Sequence, residues 1–97
     1  MDLKKEIIKK IEEAKTRPQK YVISSTRLKN HAYPYEIQNI LKELGYEYKY
    51  REIDTNYDTK QYYNFDHYYS SNGDILIHQW NGFYGYNSFD YINMNNL

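Results

Sequence analysis

Between Pro34 and Gly45 the chain is punctuated at both ends as an α-helix is. Proline has no amide hydrogen to lose in a first helical turn, and glycine accepts the left-handed backbone that ends a last one. Between them Ile37, Ile40, Leu41 and Leu44 recur at helical spacing. A helix with an apolar stripe must lie on another layer. The segment after the helix supplies it, because Gly45-Tyr-Glu-Tyr-Lys-Tyr-Arg-Glu-Ile53 alternates tyrosine with charge at the two-residue period of a strand. The expected row is Tyr46, Tyr48 and Tyr50 on one face, with Glu47, Lys49 and Arg51 on the other.

A first helix is expected from Asp2 to about Thr16, with Leu3, Ile7, Ile8, Ile11 and Ala14 inward and Lys4, Lys5, Lys9 and Glu12 outward; Pro18 ends it. Tyr21–Ser24 reads as a short strand rich in β formers, and Ser25–Asn30 as a short helix opened by a serine cap or a loop. After Tyr46–Ile53, two more strands are expected at about Gln61–Ser70 and Asp74–Trp80. The Asn72-Gly73 pair between them predicts a two-residue type I′ turn. In that register Tyr69 faces Leu76, His67 faces His78 and Phe65 faces Trp80. The segment Phe83–Tyr91 or a second subunit would then cover the far face, and Asn93–Leu97 is a tail. Ninety-seven residues build one domain. Residues 1–45 form a helical half with one short strand, and residues 46–92 an antiparallel β half. The expected class is α+β, two main helices on a three- to four-stranded antiparallel sheet, dimeric through the aromatic C-terminal half.

With no cysteine, neither a disulfide nor a thiolate zinc site is available. No apolar run is long enough to cross a membrane, and the N-terminus lacks a signal-peptide core, so a cytoplasmic protein is expected. Aliphatic residues are few, and 14 tyrosines make up the core volume. Tyrosine buries a large ring but leaves a hydroxyl to satisfy. The wealth of Asn, Lys, Ile and Tyr is similar to proteins of AT-rich genomes, plasmids and phages. The zero net charge is unevenly sorted: residues 1–29 hold nine Lys/Arg against four Asp/Glu, and residues 30–97 the reverse, four against nine.

No Gly-rich phosphate loop and no GxSxG elbow is present. His67 and His78, if paired across two strands, are the best acid–base candidate, but two half-buried imidazoles among aromatics explain the same residues without chemistry. The expectation is a protein without catalysis, cofactor or metal.

The order of elements resembles the winged helix-turn-helix domains over about residues 2–70. Tyr21–Ser24 would be the first strand, Ser25–Asn30 the second helix, His31–Tyr33 the turn, Pro34–Leu44 the recognition helix and Asp54–Gln61 the wing. The short second helix, without the usual apolar and small residues, departs from the pattern. The resemblance implies DNA binding, with AT-rich duplex favoured. Tyr35, Gln38, Asn39 and Lys42 would form the helix face, Asn56, Tyr57, Thr59, Lys60 and Gln61 the wing, and Arg17, Lys20, Arg27 and Lys29 the phosphate contacts. Such a protein would serve a plasmid or phage as a transfer-accessory or regulatory factor. The alternative is a small phage inhibitor of a host nucleic-acid enzyme, of the anti-CRISPR kind, docking through exposed tyrosines.

Overall fold

The computed structural model describes residues 2–16, 26–56, 61–81 and 86–94. Helix α1 runs Leu3–Lys15 and helix α2 Pro34–Glu43. Strands β1 (Glu47–Asn56), β2 (Gln61–Tyr69), β3 (Ile75–Asn81) and β4 (Tyr86–Ile92) form one antiparallel meander in that spatial order. The class is α+β, two helices with a four-stranded antiparallel sheet, as expected. The expected strand at Tyr21–Ser24 lies outside the described residues, as does the tail beyond Met94. Residues 26–33 contain no helix, where the winged-helix resemblance asks for its second one.

Local chemistry explains the helix ends. Asp2 caps α1, its carboxylate accepting from the Lys4 amide at 3.3 Å. Glu36 reaches back from the first turn of α2 to accept from the Tyr33 amide at 3.0 Å. At the far end Gly45 has φ +94°, and the amides of Gly45 and Tyr46 donate to Lys42 and Leu41 at 3.1 and 3.0 Å. That reciprocal pair closes the helix in a Schellman motif.

Both helices lie on one sheet face, α1 against β4 and α2 beside β1. Ile7, Ile11, Ala14, Ile37 and Leu41 pack with Leu28 and Ala32 of the connecting loop onto Tyr68, Leu76, Phe89 and Tyr91. Ile8, expected inside, is 39% exposed, and Glu6 is buried in its stead. The inward turn of α1 must satisfy the loop as well as the core, and Glu6 does so by accepting from the Lys29 amide at 2.9 Å.

Two features of the sheet differ from expectation. The β2–β3 loop has three residues, not two. Gly73 sits at φ +88°, its amide donates to Ser70 O at 3.1 Å, and the Ser70 amide donates to Asp74 O at 2.9 Å. This is a type I turn closed by a left-handed glycine, and it shifts the register by one. Tyr69 faces Ile75, Tyr68 faces Leu76, His67 faces Ile77, Asp66 faces His78 and Phe65 faces Gln79. A one-residue shift exchanges the faces. The second difference is a β-bulge between Tyr48 and Tyr50, with Tyr48 opposite Tyr68 and Tyr50 opposite His67. It splits the expected tyrosine row. Tyr48 turns to the helix side, edge-to-face on Tyr68, while Tyr50 turns to the far side and stacks on His67 at 4.3 Å. The C-terminal segment does not lie across the far face either, because Tyr86–Ile92 extends the sheet as β4.

Candidate nucleic-acid interface

The corrected register places Arg51, Asp66 and His78 opposite one another across β1, β2 and β3, on the helix side. Asp66 is wholly buried and accepts three donors: Arg51 Nε at 2.7 Å, Arg51 Nη2 at 3.3 Å and Trp80 Nε1 at 2.9 Å. The guanidinium also lies 5.0 Å from the Trp80 ring centre. Hydrogen bonding to Asp66 raises the already high Arg51 pKa, so its charge is permanent. A fork held by a carboxylate on one side and an indole on the other is fixed in orientation. Its Nη1 makes no hydrogen bond to the described residues.

Arg51 forms one end of an open groove of about 770 Å³ between α2 and β1. Gln38, Asn39 and Lys42 line it from α2, Tyr46, Glu47 and Tyr48 from the entry to β1, and Tyr68 from β2; the Glu47 carboxylate is paired with Lys49 at 3.3 Å. Tyr48 is 47% exposed. Tyr68 is buried, its hydroxyl meets no partner among the described residues, and burial raises its pKa, so it stays a neutral phenol. The surface combines side-chain amides, two cations, one carboxylate and aromatic rings. It can pair with hydrogen-bonding edges, hold an anion and stack a flat ring.

Three of the four expected helix-face residues thus meet in one place. Tyr35 stands apart, 60% exposed and stacked on Tyr33 at 5.8 Å. Of the wing, Tyr57, Thr59 and Lys60 lie outside the described residues. Asn56 and Gln61 pair with each other as the last rung of β1 and β2, so Asp54–Asn56 belong to the strand and not to a loop. Arg17 and Lys20 also lie outside the described residues. Arg27 covers the Tyr86 ring at 4.9 Å, on the edge of the sheet away from β1. Lys29 is exposed beside α1, where its amide meets Glu6.

The two histidines are not brought together. His67 lies on the far face, stacked on Tyr50 with Nε2 3.8 Å from Glu52. His78 is fully buried on the helix side between Trp80 and Phe89. Asn87 donates through Nδ2 to Ala32 O at 3.1 Å, so its Oδ1 accepts from His78 Nε2 at 2.8 Å. That fixes the tautomer with Nδ1 bare, and Nδ1 has no partner among the described residues. Burial lowers the pKa of His78 to about 4. Its ring packs in the core as a neutral imidazole.

Tyr48, Arg51 and Tyr68 were not legible as site residues. Strict alternation from Tyr46 to Arg51 assigns Tyr48 and Arg51 to opposite faces, and only the bulge reunites them. No protein-family model, curated protein or solved structure matches the chain. No helix among the described residues is long and apolar enough to cross a membrane.

Proposed function

We propose that this protein binds nucleic acid without catalysis, through the α2 face and the groove beside it, as an accessory or regulatory factor of a plasmid or phage. One observation carries the reading: Gln38, Asn39 and Lys42 share a groove with the oriented Arg51 and the exposed Tyr48. Amides read base edges, cations hold phosphate and tyrosine stacks on bases. The one carboxylate in the groove, Glu47, is paired with Lys49 at 3.3 Å. Binding of labelled DNA should be measurable by anisotropy at about 50 mM salt and fall steeply by about 200 mM. Lys42→Ala should weaken it and reduce the salt slope by about 1. No binding to any strand form at low salt would end the proposal.

A second reading has its own observation. Tyr50 and Tyr69 stand 46% and 39% exposed on the sheet face away from the helices. Such rings suit a protein partner, in keeping with an inhibitor of a host nucleic-acid enzyme. That reading expects Tyr50→Ala to release a purified enzyme partner while leaving DNA binding intact.

A further inference from the structure

Resting on the nucleic-acid reading, we infer that the groove between α2 and β1 takes a single strand, with one unstacked base laid on Tyr48. The make-up of the site favours a single strand over a duplex. A helix reads a major groove by standing proud of its neighbours. Here Gln38, Asn39 and Lys42 share an open groove with Tyr46, Tyr48 and Arg51, so the α2 face does not stand clear of the sheet. A single strand can lie along the groove.

Each part of the groove matches a part of a nucleotide. Tyr48 is braced edge-to-face by Tyr68 at 5.5 Å and 70°, yet keeps nearly half its surface exposed. A braced, exposed ring is a stacking platform with little rotamer freedom left to lose. The Gln38 and Asn39 amides have no hydrogen-bond partner among the described residues, and they line the same groove. Unpaired bases offer their Watson–Crick edges to such groups. Lys42 has no acidic partner among the described residues, and Arg51 is anchored by Asp66 with Nη1 left over. These are the two donors for phosphate. Stacking on Tyr48 accepts any base, so sequence preference is expected to come from the Gln38 and Asn39 amides alone.

The test compares a labelled single strand of about 12 nucleotides with the duplex of the same sequence, and with its RNA counterpart, by anisotropy at low salt. The single strand should bind at least tenfold more tightly than the duplex. A 2-aminopurine in the strand should change its fluorescence on binding. Tyr48→Ala should weaken single-strand binding about tenfold, while Tyr48→Trp keeps it, with circular dichroism confirming the fold of both. The RNA arm decides whether the 2′-hydroxyl matters. Duplex binding as tight as single-strand binding, or indifference to Tyr48→Ala, would overturn the inference. Sensitivity to Lys42→Ala in that case would leave the broader nucleic-acid reading standing. Binding to neither form would remove both.

Discussion

Acid should destabilise this protein through His78. Its ring is fully buried on the helix side, facing Asp66 on β2 and Phe89 on β4, and stacked near Trp80. Burial is the chief cause of its lowered pKa, and Arg51 nearby lowers it further. The bond to Asn87 and the charge of Asp66 push the other way. The folded value is about 4 against 6.5 for a free imidazole. Between these values the unfolded chain binds a proton that the folded one refuses, so stability rises with pH and is lost as pH falls from about 6.5 toward 4. The group accounts for a loss of about 2 kcal/mol between about pH 7 and about pH 4.5, and about 3 kcal/mol once both states are protonated.

Urea unfolding across that range measures the loss directly. Carboxylates titrate at the lower end of the same window, so the informative quantity is the difference between wild type and His78→Gln. Glutamine keeps a donor for Asn87 but carries no titrating group. The variant should be less stable at neutral pH, because the ring no longer fills its place between Trp80 and Phe89. It should nevertheless lose about 2 kcal/mol less than wild type on acidification. Equal losses, or a His78 ring resonance that titrates near 6.5 in the folded protein, would refute the reasoning.

Further perturbations bear on the fold. Asp66→Ala strips the acceptor from both Arg51 bonds and the Trp80 indole and should cost about 3 kcal/mol in urea unfolding, with a red shift of Trp80 fluorescence. Removing the exposed Lys4–Glu43 pair by Lys4→Ala should change stability by less than about 0.5 kcal/mol. Gly73→Ala should cost about 1 kcal/mol through the backbone alone, since φ is +88° and a Cβ there would meet nothing within 4 Å. Gly73→Asn should cost less, because asparagine tolerates that conformation.

How far the chain could be read from its letters depended on whether the determinant was local. α2 was legible because both its ends are set by its own residues, proline at the start and glycine after the end. The segments of β1, β2 and β3 carry enough β formers to be read as strands, while that of β4 was not. Register was another matter. Asn72-Gly73 serves either a two-residue loop or a three-residue loop with glycine in the left-handed position, and the flanking residues do not separate these. The choice moves every β3 side chain to the other face, and with it the supposed histidine pair. Tyr86–Ile92 reads as readily as a covering segment as a strand, because its aromatics suit both.

The bulge at Lys49 shows why the candidate site was the least legible part. In an unbroken strand, residues three apart point to opposite faces, so Tyr48 and Arg51 could never serve one surface. The extra residue is invisible in β1 itself, where tyrosine and charge alternate without a break from Tyr46 to Arg51, because a bulge is a relation between two strands. What selects it is on β2. Asp66 is buried and must have a cation, and Tyr68 offers an aromatic ring two residues along the same face. Arg51 meets the first and Tyr48 the second only if one residue between them is left unpaired. An unpaired buried carboxylate costs several kcal/mol, more than the disruption of one rung of the ladder. The buried charge of Asp66 therefore sets the register of β1, and that register places a fixed guanidinium and an exposed tyrosine beside the amides of α2.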